Sequence, residues 1–415
     1  MPFLEYLHNA LAVLPTLAKF ALCMMLIVII PRLSRRVGLP EAVGLLLSGV
    51  LFGPHVLDIF PPQHPVMQFF AEVGMLLLMF FAGLEIDLTL FRQKIYRSLG
   101  FGVITTSVPL LLGTLVTLGL GYELLPAIVA GSLIASYTML GSTIVARLGA
   151  RNLEPMVVTT GATMVSDTLS LLVFAVCVPL YVSGFSVSGI SIQVIEIVVF
   201  VPLVLLGLGR VGAWLLRRVE DEEETYFILM FGILAVTALL AEWIKLPGIV
   251  GTFLAGLAVN ASVKDKPAKG KLAFIGNTLF IPIFFIVTGF LIDPMALARS
   301  ISQDFILAAG IIGSLLVGKW IAAESCGHAF GFPLAARRTM WSLSLPQVAS
   351  TLAAALVANK TFNAAGQPLL DERMLNAVLI MVLVTAILGP ILTQRYAPLM
   401  LRDSTSRKPQ GVKTD

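Results

Sequence analysis

Thirteen apolar runs, each long enough to cross a bilayer, follow one another along 415 residues. They are centred near Leu22, Leu47, Leu77, Leu110, Leu133, Leu169, Val204, Leu234, Leu254, Phe284, Gly313, Leu345 and Val382. Bilayer hydrocarbon cannot hydrogen-bond an exposed peptide group, so such runs fold as helices. The loops between them alternate sharply in charge. One set holds 22 basic residues: Arg32, Arg35, Arg36; Arg92, Lys94, Arg97; Arg147, Arg151; Arg210, Arg217, Arg218; Lys264, Lys266, Lys269, Lys271; Arg337, Arg338; and Arg395, Arg402, Arg407, Lys408, Lys413. The other set holds only 4, Lys245, Arg299, Lys360 and Arg373. Basic loops stay in the cytoplasm, so the N-terminus is expected outside and the C-terminus inside. The alternation also supports an odd number of spans, because an error of one would scramble it.

The fold class expected is therefore an all-α polytopic membrane protein with 13 transmembrane helices, in contact with membrane lipid. Only 13% of residues are charged and 57% are hydrophobic, whereas soluble domains average about 25% charged. Topology explains the basic loops, so no nucleic-acid partner is expected. Cys23, Cys177 and Cys326 are scattered in apolar runs, with neither metal-ligand spacing nor a disulfide pattern. The first run lacks a basic n-region and a cleavage site, and reads as a retained span. The polar residues from about Arg402 onward read as a disordered tail.

The chain resembles itself at an offset of about 207 residues. Leu39-Pro40-Glu41-Ala42-Val43-Gly44 through Ser48-Gly49 is echoed by Leu246-Pro247-Gly248-Ile249-Val250-Gly251 through Ala255-Gly256. Phe80-Phe81-Ala82-Gly83-Leu84-Glu85-Ile86-Asp87 is echoed by Ile286-Val287-Thr288-Gly289-Phe290-Leu291-Ile292-Asp293. On this span count the two copies enter the membrane from opposite sides. Two inverted six-helix repeats are expected, at about 10–182 and 225–398, joined by a connector helix at about 190–218 and followed by a cytoplasmic tail at 399–415. The acidic run Glu220–Glu224 falls at the junction as a solvated linker.

Each repeat carries an interruption at a matching place. The fifth run contains Ser136-Tyr137-Thr138-Met139-Leu140-Gly141-Ser142-Thr143, and the twelfth contains Ser342-Leu343-Ser344-Leu345-Pro346-Gln347. Pro346 removes a helix hydrogen bond. Irregular backbone at membrane depth is tolerated where it is buried in protein or lines a cavity. Inverted repeats with crossed, discontinuous helices are the mark of alternating-access transporters.

Two charges lie deep. Asp167 stands about 11 residues into the apolar run Met156–Val182, roughly 17 Å into a core ~30 Å thick. Lys319 lies at a similar depth in the eleventh run, too deep to reach water easily. Carboxylates at such depth cost at least ~2.5–3.5 kcal/mol and usually mark an ion or proton path. A hard monovalent cation prefers oxygen ligands, and Asp167 supplies the one carboxylate placed at this depth. Ser166 beside it, Ser136, Thr138 and Ser142 in the first break, and Pro346 and Gln347 in the second could complete the shell. A carboxyl group holds a proton or a metal ion in turn, which is antiport from a single group.

These motifs are similar to those of the cation:proton antiporter-2 family of Kef- and Nap-type exchangers. The resemblance is carried by Gly38-Leu39-Pro40-Glu41-Ala42-Val43-Gly44, Leu78-Met79-Phe80-Phe81-Ala82-Gly83-Leu84-Glu85-Ile86-Asp87, Leu246-Pro247 with Ala255-Gly256, and Val317-Gly318-Lys319. It extends over nearly all of residues 10–398. It implies a homodimer in a bacterial inner membrane, with a six-helix core that moves against a dimer-forming scaffold. It also implies that Asp167 binds the transported sodium or potassium ion and the proton, and that Lys319 is the core lysine. The chain departs from the family in two places. Relatives carry Asp-Asp, Asn-Asp or Gln-Asp where this chain has Ser166-Asp167, and many carry Arg-Gly-Glu where it has Leu345-Pro346-Gln347. With one carboxylate left, exchange is expected to be electroneutral at 1:1.

Other classes fit less well. A channel needs a lined continuous pore, and an intramembrane aspartyl protease needs two carboxylates at matched depth. A sodium-coupled organic solute symporter on a related fold, or a sensor without transport, is the alternative. No Gly-rich phosphate loop is present, so no cofactor is expected, while a separate regulatory subunit is conceivable. Asn260 is expected to cap the ninth span.

Overall fold

In the computed structural model the described residues are 15–37, 39–60, 65–84, 94–141, 144–145, 148–150, 153–184, 195–196, 198–219, 223–263, 267–295 and 304–406. The chain is all-helical across them. The first helices are α1 (Thr16–Arg36), α2 (Glu41–Phe52), α3 (Pro65–Leu84), α4 (Ile95–Gly119) and α5 (Leu124–Ala135). Next come α6 (Glu154–Ser183), α7 (Gly209–Arg218), α8 (Glu223–Trp243), α9 (Gly248–Val263) and α10 (Pro267–Ile275). The last are α11 (Ile281–Phe290), α12 (Phe305–Ala329), α13 (Leu334–Leu343), α14 (Ala349–Asn359) and α15 (Glu372–Ser406). Wider π-helical turns lead into α7 (Leu203–Leu208) and α11 (Gly276–Phe280). Among the described residues, nine helical stretches are long and apolar enough to cross a membrane, and four more are apolar but shorter.

The chain divides into two compact units, and each draws on both halves of the sequence. The first comprises residues up to 86, 175–305 and 359–376. Its helices approach one another through glycines of the repeated motifs. A side chain at Gly49 of α2 would begin 2.0 Å from the Ile286 carbonyl oxygen of α11, and one at Gly289 of α11 would begin 2.3 Å from that of Leu46. The same holds between α3 and α9, where Gly83 faces the Phe253 oxygen at 2.3 Å and Gly256 faces the Phe80 oxygen at 2.1 Å. Only glycine fits at such separations. Without a hydrophobic drive between helices in lipid, close backbone approach supplies the packing that holds them.

Asn260 reaches beyond its own helix. Its amide nitrogen donates to the carbonyls of Gly83 and Leu84, at 3.2 and 2.9 Å, and so closes the C-terminal end of α3. The last carbonyls of a helix have no intrahelical donor, and α3 borrows one from far along the chain. Glu85 and Asp87, Ser142, the linker residues Glu220–Glu222 and residues 407–415 lie outside the described residues.

The second unit comprises residues 87–174, 306–358 and those from 377 onward. It contains α4, α5, most of α6, α12, α13, α14 and most of α15. The helix begun by α5 stops at Ala135; Ser136 is extended, and residues 137–139 are irregular before a short turn around Ile144. The helix begun by α13 stops at Leu343 and resumes at Ala349, with Pro346 in the gap. At the C-terminus, helix α15 runs through Ser406, past the tail boundary expected near Arg402. Extending a formed helix by a turn costs little once nucleation is over.

Candidate functional site

The two interruptions meet inside the second unit. The Thr138 backbone N–H donates to the Pro346 carbonyl at 2.8 Å. Helix α5 ends there with its last carbonyls lacking intrahelical partners, and side chains from three other helices supply donors. The Gln347 amide nitrogen donates to the carbonyls of Ile134, at 3.3 Å, and Ser136. Thr351 Oγ1 lies 3.2 Å from the Leu133 carbonyl oxygen and 2.7 Å from Gln347 Oε1. Ser166 Oγ donates to the Ala135 carbonyl at 2.8 Å, and Lys319 Nζ donates to that same oxygen.

Lys319 is fully buried, and local backbone chemistry explains its position. Pro109 lies inside α4 and has no N–H, which leaves the Thr105 carbonyl four residues earlier without its helix donor. Lys319 Nζ donates to that oxygen at 3.0 Å. The preceding Gly318 lets α12 approach, since a side chain there would begin 2.8 Å from the Pro109 Cα. The ammonium also sits 4.7 Å from the centre of the Tyr137 ring, a cation–π distance. It rests at the C-terminal end of α5, where the helix dipole favours positive charge. Lys319 thus fills two carbonyls orphaned by different breaks.

Asp167 lies in α6, one residue from Ser166. It is partly buried, but its Oδ1 is enclosed and has no hydrogen-bond partner. The Tyr137 backbone amide faces its carboxylate, and Lys319 acts on it electrostatically without forming a direct ion pair. Tyr137 is fixed in turn, its hydroxyl donating to the Thr159 carbonyl at 2.8 Å. Of the expected residues, Ser166, Ser136, Thr138, Pro346, Gln347, Lys319 and Asp167 all belong to this one unit, and Ser142 is outside the described residues. The polar atoms of Gln347 are engaged with α5 and Thr351. The Ser136 hydroxyl pairs with that of Ser350 at 3.1 Å.

A family model described as the transmembrane sodium/hydrogen exchanger matches residues 22–397. The chain belongs to this family. It is 39% identical over 382 residues to the Na(+)/H(+) antiporter NhaS5 of Synechocystis sp., an alignment covering 92% of this chain and 55% of that protein. The chain therefore spans little more than half of that relative's length. It is 28% identical over 303 residues to the Na(+)/H(+)-K(+) antiporter GerN of Bacillus cereus, covering 71% of this chain and 76% of that one. Among solved structures, the sodium proton antiporter MjNhaP1 from Methanocaldococcus jannaschii matches with a TM-score of 0.69 at 16% identity. That match covers 92% of this chain and 98% of the other, and shows a common fold.

The geometry of this site adds two residues that the sequence did not single out, Pro109 and Thr351, and gives Gly318, already part of the motif ending in Lys319, a packing role. Pro109 was readable in principle, because a proline within an apolar run announces a free carbonyl four residues back. Which side chain would fill that carbonyl was not readable, since Lys319 lies more than 200 positions away.

Proposed function

We propose that this chain exchanges a monovalent cation, Na+ or K+, for a proton by alternating access, with the two competing for Asp167. The observation that carries this reading is the enclosed, unpartnered Oδ1 of Asp167. An ionised oxygen buried without a partner is costly, and either a proton or a dehydrated cation relieves that cost. Occupancy by one displaces the other, so one group couples two opposite fluxes. Family membership and the antiport named for NhaS5 and GerN support the same ions.

The finer architecture belongs to the proposal. Thirteen spans would form two inverted six-helix repeats, at about 10–182 and 225–398, around a connector helix at about 190–218. The glycine contacts support it: Gly49 and Gly256 occupy equivalent motif positions, as do Gly83 and Gly289, and each packs against the other motif of the opposite copy. A two-fold relation produces that exchange of partners. The assembly would be a homodimer in a bacterial inner membrane, with the N-terminus outside. The single deep carboxylate favours a 1:1 electroneutral cycle.

The test is collapse of an imposed pH gradient in proteoliposomes on addition of Na+ or K+. Wild type is expected to respond to at least one ion and Asp167→Asn to neither. Equal responses from the two proteins would overturn the assignment to Asp167.

A further inference from the structure

Lys319 and Asp167 attract each other, yet they do not pair. The ammonium acts on the carboxylate through space, while Asp167 Oδ1 is enclosed without a partner. Opposite charges attract most strongly where water is excluded, so the contacts that hold the ammonium back have to outweigh a strong pull. Lys319 Nζ donates to the Thr105 carbonyl at 3.0 Å and to the Ala135 carbonyl. It also lies 4.7 Å from the centre of the Tyr137 ring.

One of these contacts exists because of a single residue. In an unbroken helix the Thr105 oxygen would accept the N–H of residue 109. Pro109, inside α4, has no N–H, and its ring crowds the carbonyl four residues back and turns it out of line. Such a freed carbonyl is commonly filled by a nearby hydroxyl or a water. Here the hydroxyl of Thr105 itself is buried and bonds nothing, and the donor is an ammonium from another helix. Gly318 brings that helix in, since a side chain there would begin 2.8 Å from the Pro109 Cα and 3.0 Å from its nitrogen. The missing donor, the close approach and the buried charge therefore coincide at one crossing of α4 and α12.

We propose that Pro109 is a positioning residue for exchange: the carbonyl it frees at Thr105 holds the Lys319 ammonium off Asp167 and leaves the carboxylate open to the transported cation. With an N–H at position 109, the Thr105 oxygen returns to its helix bond. A carbonyl has two lone pairs, but one drawn back along the helix axis no longer faces α12. The ammonium then keeps Ala135 and turns to Asp167 as a resident counter-ion, which an incoming cation has to displace. This deepens the exchange reading and rests on it.

The experiment compares cation-dependent exchange in proteoliposomes for wild type, Pro109→Ala, Lys319→Gln and the double variant. Pro109→Ala should raise the apparent KM for the cation about tenfold while the rate at saturating cation stays within about twofold. In the Lys319→Gln background the same substitution should move KM by less than about twofold, because no ammonium is left to turn. An unchanged KM in Pro109→Ala, or an equal rise in both backgrounds, would overturn the proposal, since a proline that only shapes α4 acts whether or not the lysine is present. If Pro109→Ala does not accumulate as folded protein, Gly318→Ala reaches the same bond from α12 by forcing the helices apart. It should raise KM in the wild-type background only, and a wild-type KM would overturn the proposal. Wild-type liposomes that exchange no cation sink antiport itself. The place of the ammonium is then decided by imaging the full-length Pro109→Ala chain, where Nζ is expected beside Asp167 and an Nζ still bonded to the Thr105 oxygen overturns the proposal.

Discussion

Both compact units bring helices close through glycine, with Gly131 facing the Leu110 carbonyl oxygen at 2.5 Å in the second as Gly49 faces that of Ile286 in the first, but they differ in what is built beside those contacts. In the first, α2 meets α11 and α3 meets α9 through glycines, with nothing but backbone at the contact. In the second, the ends of α5 and α13 meet through a layer of side chains, with Gln347, Thr351, Ser166 and Lys319 all bonded to the carbonyls of α5 and its end. A glycine contact has one low-energy geometry, because any displacement loses packing or brings carbonyl oxygens into collision. A layer of hydroxyls, an amide and an ammonium can exchange partners at comparable energy. On the exchange reading proposed above, the glycine contacts resist displacement, while the polar layer of the second unit offers partners that can be exchanged.

The sharpest way to break that comparison is to place a side chain at a glycine contact. Gly289→Leu would start its Cβ 2.3 Å from the Leu46 carbonyl oxygen and 2.7 Å from the Gly49 Cα, both backbone atoms that cannot rotate away. The expected outcome is the largest of the series: loss of folded protein from the membrane fraction, or a loss of about 3 kcal/mol or more of stability. Size-exclusion profiles in detergent with a thermal melt would measure it. A well-folded, wild-type-like variant would mean that the two helices are free to separate, and the contrast between units would fail.

Lys319→Gln should act less severely, and in the polar unit. The Thr105 carbonyl loses its donor, whereas Ala135 keeps Ser166. Leaving one buried acceptor unpaired costs about 1–3 kcal/mol. A lower melting temperature and slower exchange are expected, with the pH–rate profile displaced along the pH axis, because the ammonium acts on Asp167 through space, but unchanged in shape, because it forms no direct ion pair with it. A profile that changes shape would make Lys319 a proton carrier, and would shift the working chemistry from one residue to two.

Much of this contrast was legible in the sequence where the information is local. Run length indicates an all-helical chain, and Pro346 with its polar neighbours marks a break. The repeat placed Gly49 opposite Gly256 as equivalents. It could not say that Gly49 would touch Gly289, because contact partners follow from how repeats interleave in space. Asn260 shows the same limit: its position near a helix end suggested a local cap, and nothing in the sequence hinted at the two partners 176 and 177 residues away.

The smallest expected effect bears on how many charges the polar unit moves. Among the described residues around the two helix breaks, Asp167 is the one carboxylate, and the resemblance noted above implies an acid in many relatives where Gln347 stands. If a cation binds the ionised group and a proton binds the same group in return, each half-cycle carries the same net charge and a membrane potential has no grip on the cycle. A full uncompensated charge would feel ~2.3 kcal/mol per 100 mV, enough to bias the cycle by about fiftyfold. Exchange rates measured in proteoliposomes with and without a K+-diffusion potential of about that size should therefore coincide. For a K+-transporting variant of the assay, the potential is set with a different permeant ion. A strong dependence on potential would require a second titrating group, and Lys319 is the one buried deeply enough to serve.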